Sequence, residues 1–277
     1  MVNVRLYPLH PALTKYIRHI WTLDLSFPGE PIDLNMTGDC YPHLVIQCRE
    51  GLKGLWLPAR EHNVPAVTLK GISLNSKVYK MSANYSHIAV SFYPDGIKNI
   101  FGIDAFEVVN QAVDAGELLP AFFSDRINDF ATHEQRAGYI NEVLVQMLWQ
   151  RRKEQDKRVA DFLKSPHASY SEKLKEYNIS ERHFSRLFTE YVGIRPSLYR
   201  RLSRFEETLA AIRNTEFRSL TDLAYQFGYA DQAHFCREFK SFTGETPHAF
   251  LRKDRIHEDK GIVDRPDNAG HLMGASI

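Results

Sequence analysis

The chain has 277 residues, 43% hydrophobic and 25% charged, with a net charge of +1. That length and apolar content can build two cores, and three cysteines make no disulfide framework. No apolar run approaches the roughly 20 residues that a membrane helix needs, and the overall charge by itself does not suggest nucleic acid.

The N-terminus lacks a basic region followed by an apolar core, so no secretion signal is expected and a reduced cytoplasm is the expected compartment. Residues 11–21 show helical spacing at Leu13, Ile17, Ile20 and Trp21. Strand-like runs follow at His43–Cys48, Leu55–Leu57, Ala66–Leu69, Lys77–Met81 and His87–Phe92, with Gly, Pro or Asn between them. Cys40-x-x-His43 with Cys48 matches no common metal spacing. The intervening Leu44-Val-Ile-Gln47 reads as a strand, so core cysteines are expected, with no metal and no cofactor.

Beyond the strands, 101–109 reads as loop and short helix. Ala137, Ile140, Val143, Leu144, Met147 and Leu148 make an amphipathic stripe. That stripe serves either as a dimer seam or as packing against its own β-rich domain. Arg151-Arg-Lys-Glu-Gln-Asp-Lys157 reads as a charged hinge. The expected units are therefore 1–150, 158–255 and a polar, disordered tail over 256–277. Aromatic walls with polar tips suit small ligands. Tyr41, His43, Trp56, Tyr79, Tyr85 and Phe92 are the candidates, core or surface aromatics being the plainer reading of each.

The C-terminal part carries an internal repeat. One copy runs Ser169, Leu174, Ile179, Phe184, Arg186, Phe188, Tyr191, Gly193, Pro196; the other runs Ser219, Ala224, Tyr229, Phe235, Arg237, Phe239, Phe242, Gly244, Pro247. Ser169-x-x-Glu172 and Ser219-x-x-Asp222 are box-like helix starts, the first the better match because Glu reaches back further. A turn is expected near Asn178 and Gly228. A second helix then buries Phe184, Phe188 and Tyr191, or Phe235, Phe239 and Phe242, at i, i+4, i+7. Gly193 and Gly244 suit a left-handed helix stop, and Pro196 and Pro247 the first turn of the next helix.

With the rings inward, the outward face of copy one carries Arg182, Ser185, Arg186 and Thr189. In copy two it carries Ala233, Cys236, Arg237 and Lys240, with Gln232 in the first turn. Each copy thus describes a helix-turn-helix, whose second helix enters the major groove N-terminal end foremost. Arg pairs with guanine, Gln with adenine, and small apolar groups touch the thymine methyl. Charge is distributed accordingly: residues 1–150 are net −3, residues 151–255 net +6 and the remainder net −2.

Residues 156–253 resemble the DNA-binding domain of the AraC/XylS family of bacterial transcription regulators. The stretch Leu223-Ala-Tyr-Gln-Phe-Gly-Tyr-Ala-Asp-Gln-Ala-His-Phe-Cys-Arg-Glu-Phe-Lys240, closed by Gly244-x-x-Pro247, is close to that family's signature; Ile179-Ser-Glu-Arg-His-Phe-Ser-Arg-Leu-Phe188 matches its weaker first motif. The resemblance implies seven helices, with a joining helix over residues 197–213 that turns Tyr199, Leu202, Phe205, Leu209 and Ile212 inward. Leu174 and Asn178 depart from the family's small alanine and glycine. Ser91-Phe-Tyr-Pro-Asp-Gly-Ile-Lys-Asn-Ile-Phe-Gly102 resembles the N-terminal module of one subgroup, a cupin-like β-rich domain followed by helices, without the metal-binding histidines of cupin enzymes.

The expected fold is therefore α+β and multidomain, with a β-rich cupin-like N-terminal domain and an all-α double helix-turn-helix domain. The expected function is transcription regulation on double-stranded DNA. RNA polymerase, a small-molecule effector and a second copy of the chain are further expected partners, and a membrane is not. Two other classes were weighed. DNA-repair alkyl transfer needs a thiolate in a Pro-Cys-His-Arg context, and Cys40-Tyr-Pro-His43 has the wrong order, so no enzyme is expected. An architectural DNA-binding protein would expect a stronger net charge.

Overall fold

The computed structural model describes residues 2–26, 28, 30, 32–48, 55–57, 62–63, 65–82, 84–151, 156–214 and 217–258. Residues 152–155 of the expected charged hinge and all but the first three residues of the expected tail lie outside them.

The N-terminal half is built on two antiparallel sheets. One has the order β1-β2-β9-β4-β7-β10, from β1 (Val2–Tyr7), β2 (Ile17–Ser26), β9 (Asn84–Phe92), β4 (His43–Gln47), β7 (Val67–Lys70) and β10 (Ala112–Asp114). The other has the order β3-β8-β5-β6, from β3 (Ile32–Met36), β8 (Lys77–Met81), β5 (Leu55–Leu57) and β6 (His62–Asn63). Five of these strands fall on the runs read from sequence. The helix expected over residues 11–21 does not form. A 3-10 turn at Pro11–Leu13 buries Leu13, and Ile17 begins a ten-residue strand. Its pairing register with β9 shifts between Ile17 and His19, so the hydrophobic residues reach both faces with a spacing that imitates a helix.

Side chains of a strand alternate between faces, and β9 shows the consequence. Ile88, Val90 and Phe92 enter one core with the helices α1 (Gly96–Phe101) and α3 (His133–Arg151), while Tyr85 and Ala89 enter the sandwich interior with Trp21, Leu23, Leu25, Tyr79 and Met81. The α3 stripe is spent there too: Ala137, Ile140, Val143, Leu144 and Met147 are buried against their own domain. It is not a dimer seam. A short α2 (Phe123–Asp129) completes this half.

Seven helices follow, α4 (Lys157–Lys164), α5 (Tyr170–Tyr177), α6 (Glu181–Val192), α7 (Pro196–Arg213), α8 (Leu220–Gln226), α9 (Gln232–Thr243) and α10 (Pro247–Glu258). Their core is a run of rings. Phe184 lies 5.3 Å from Phe162 and 5.7 Å from Phe188, Phe188 meets Tyr199 of α7 at 5.6 Å, and Phe239 meets Phe205 of α7 at 5.5 Å. These are the tilted and edge-on distances that aromatic quadrupoles favour. Tyr191 is only half-buried, and Val192, one residue on, takes the place expected for it.

Two consequences are measurable. Phe235 is fully buried between Tyr229 and Phe239, so Phe235→Ala should cost about 3–5 kcal/mol in urea unfolding; an unchanged midpoint would place the ring outside the core. His87 is buried beside Trp21 and Tyr85, and burial pushes its imidazole down to about 3 against the opposing pull of Asp24. The unfolded chain therefore takes up a proton near pH 6.5 that the folded chain takes up only near pH 3. This contribution to stability is present at neutral pH and is lost as pH falls through that window, by about 2 kcal/mol at pH 5. His87→Phe should flatten the wild-type decline in urea midpoint between pH 7 and pH 5.

Candidate nucleic-acid interface

Each repeat begins with the cap its sequence announces. Ser169 Oγ accepts from the Glu172 amide at 3.5 Å, Ser219 Oγ from the Asp222 amide at 3.0 Å. The second start is the better formed, contrary to the sequence ranking, because Ser219 Oγ also donates to the Asp222 carboxylate at 2.8 Å. The reading helices have caps of their own. Ser180 Oγ accepts from the His183 amide at 3.3 Å, and an Asp231 carboxylate oxygen from the His234 amide at 2.6 Å. Asn178 takes the left-handed conformation at φ 51°, which asparagine tolerates, so the missing glycine leaves the copy-one turn intact.

The rings fix what faces outward. Arg182, Arg186, Gln232, Ala233, Arg237 and Lys240 are exposed, and Ser185, Thr189 and Cys236 are half-buried. Two of these side chains are already engaged. The Thr189 hydroxyl donates to the Ser185 carbonyl at 2.8 Å, and Gln232 Oε1 accepts from Thr221 Oγ1 at 2.9 Å, which steadies the amide at the helix entrance. Burial raises the Cys236 thiol above its ordinary range, so this group is a neutral side chain rather than a reactive thiolate. The joining helix α7 has 18 residues, about 27 Å at 1.5 Å per residue. With its flanking turns it suits reading helices one DNA turn, about 34 Å, apart.

One positioning residue was missed from sequence. Glu238 is 3% exposed. It accepts from Arg201 Nε at 2.7 Å and from Arg204 Nη2 at 2.8 Å, while Arg204 Nη1 donates to the Gly228 carbonyl at 3.3 Å. Both arginines belong to α7, so the joining helix is tied electrostatically to reading helix two and to its turn. Copy one has Leu187 at the equivalent position. No spacing rule could announce a pair 34 residues apart.

Residues 174–253 match the family model of a helix-turn-helix domain. This part of the chain is a helix-turn-helix domain. Residues 5–114 match a second model, described as a domain of unknown function (DUF6597). Curated relatives include uncharacterized HTH-type transcriptional regulators of Staphylococcus aureus strains MSSA476 and N315, each 36% identical over 99 residues, or 35% of this chain. The chain matches only 12% of the length of those relatives. Among solved structures, ToxT from Vibrio cholerae O395 is 12% identical with a TM-score of 0.40, covering 83% of this chain and 95% of its own. A second ToxT crystal form is 13% identical at the same TM-score, covering 91% and 97%.

The helix-turn-helix domain is docked on the β-rich half. Cys40 and Ile72 lie in its aromatic core, and the Gly38 amide donates to the Phe242 carbonyl at 2.8 Å. Gly193 and Gly244 are left-handed at φ 92° and 81°; the first is closed in by the Ala105 backbone and Val109, the second by the Ser76 hydroxyl. A Cβ would lie 2.6 Å from Val109 Cγ2 in the first case and 2.7 Å from Ser76 Oγ in the second. The C-terminal ends of both reading helices thus rest on the N-terminal domain.

The expected pocket residues divide. Tyr41, His43 and Tyr79 line one cavity with Asp39 and Lys70, its volume 20 Å³, room for about one water. Tyr85 faces the sandwich interior, Phe92 the opposite core, and the Trp56 side chain lies outside the described residues. Asp39, Cys40 and Glu206 bring donor atoms within 4.8 Å of one another, a group drawn from both domains. Burial, then the carboxylates, raise the Cys40 thiol, which favours its neutral form over a metal-binding thiolate. Among the described residues no helix is long and apolar enough to cross a membrane.

Removing the Glu238 carboxylate should loosen reading helix two. Glu238→Gln is expected to lower unfolding free energy by about 1.5–3 kcal/mol, read from denaturant titration. A loss below 0.5 kcal/mol would mean that the two arginine contacts do not hold the helix.

Proposed function

We propose that this protein is a sequence-specific, DNA-binding transcription regulator. The observation that supports it is the duplicated outward face: two capped helices, joined by one 18-residue helix, present polar side chains because their rings point inward. Copy two reads one major-groove segment through Gln232, Ala233, Cys236 and Arg237. Copy one reads the next through Arg182, Ser185 and Arg186, with Thr189 and Lys240 at the trailing ends. Such an arrangement asks for an asymmetric site per subunit. Bound beside a promoter in the cytoplasm, the protein recruits or blocks RNA polymerase.

The N-terminal domain is the regulatory half in this reading, acting through a small-molecule effector or through dimerisation. Its support is mechanical. The cavity at Tyr41, His43 and Tyr79 adjoins the loop whose Gly38 and Cys40 contact the helix-turn-helix domain. A ligand widening that cavity would displace residues on which reading helix two depends.

Selection of bound fragments from random DNA should return two boxes about one turn apart. Arg186→Ala or Arg237→Ala should then cost about 1–3 kcal/mol on the selected duplex and much less on a scrambled one. Equal weakening of both duplexes would remove base reading from that arginine. Recovery of no preferred fragment would remove the regulator reading itself.

A further inference from the structure

Reading helix one does not stand alone on its side of the domain. Its outward face, including Arg182 and Arg186, forms one wall of a groove of 1080 Å³. The other wall is the start of α7, with Arg195, Ser197 and Arg200. Four guanidinium groups therefore face one concave space.

Positive charge prevails in that space, with four arginines against three carboxylates. The carboxylates on the groove are Glu181, Glu190 and Asp104. Lys98 binds Glu190 at 2.9 Å and also binds Asp104, so one of their two negative charges is balanced across the domain interface. Two negative charges, Glu181 and one shared by Glu190 and Asp104, are left to oppose four arginines. Arg195 is exposed at the N-cap of α7, and Arg200 is anchored by a bond from Nη2 to the His167 carbonyl at 3.3 Å. That bond uses one of five N–H donors in a rigid fork.

Copy two has no arginine at the two equivalent positions. At the offset of 51 residues that relates Gly193 to Gly244, Arg195 corresponds to Thr246 and Arg200 to Leu251. The two halves of the domain are alike in fold and unlike in charge at this place.

We propose that Arg195 and Arg200 grip a phosphodiester of the DNA strand that runs beside reading helix one. This rests on the DNA-reading function proposed above. The N-terminal end of a reading helix lies deepest in the major groove. Residues that follow its C-terminal end are therefore placed nearer the backbone than the base edges. A guanidinium fork matches the phosphate oxygens in shape and charge. Copy one then anchors the protein by backbone charge, and copy two carries more of the sequence discrimination. Phosphate grips fix register without reading sequence, and they show themselves in salt dependence.

The full chain and its selected duplex, with a scrambled duplex as control, give the test by fluorescence anisotropy between 50 and 200 mM salt. Each of Arg195→Ala and Arg200→Ala should weaken both duplexes by the same factor. Each should also lower the slope of log affinity against log salt by about 0.9, so that the loss over this salt range becomes about 3.5-fold smaller per arginine. The double variant R195K/R200K should keep the wild-type slope, and Thr246→Ala should leave it unchanged. An unaltered slope in the alanine variants, or a loss confined to the selected duplex, overturns the phosphate assignment while wild-type binding keeps the regulator reading intact. Wild-type protein that binds neither duplex at any salt overturns both, and the two failures are told apart by that control.

Discussion

Rings packed on a single joining helix hold both reading helices of this protein. Phe188 of α6 meets Tyr199, and Phe239 and Phe242 of α9 meet Phe205, all on the buried side of α7. A helix has one side opposite its buried stripe, so the packing that forms the core also chooses which side chains reach solvent. Arg182, Arg186, Gln232 and Arg237 are exposed for that reason and no other. The element that joins the two copies is a continuous 18-residue helix, a rod rather than a loose linker.

Around this core the two copies are not equivalent. Both rest on the N-terminal domain, but copy two is also locked by the buried Glu238, whose carboxylate takes two arginines of α7, where copy one has leucine. Lys98 reaches across to Glu190 of reading helix one, and the backbone of Ala105 and the Val109 side chain close over Gly193. Reading helix two therefore has an ion-pair brace from within its own domain, and reading helix one takes an ion pair from the N-terminal domain. A change in the N-terminal domain reaches copy one through an ion bridge and copy two through the Gly38–Phe242 bond. Regulation, in the reading proposed, needs only a small shift of these contacts.

Much of the helical half was legible because its signals are local. Ser169 and Ser219 cap within three residues, Gly193 and Gly244 answer a demand for positive φ, and the rings recur at helical spacing. The joining helix was placed within one residue at its start. Where two periodicities overlap, local reading failed. Leu13, Ile17, Ile20 and Trp21 fit a helix on paper, yet they follow a turn and a strand with a register shift. Tyr85 and Phe92 were grouped in one pocket, but they stand seven residues apart on one strand and an odd separation puts them on opposite faces.

The chain's own order of residues determined the double helix-turn-helix, its caps, its outward faces and the excess of positive charge around it, since each depends on neighbours within a few turns. Tertiary structure alone decided which helix Glu238 would tie down, that the α3 stripe would turn toward its own domain, and that Cys40 would join a core far along the chain. Contacts of that kind pair residues tens or hundreds of positions apart. Their energy comes from burial and charge pairing after the chain has closed, and no local spacing encodes them.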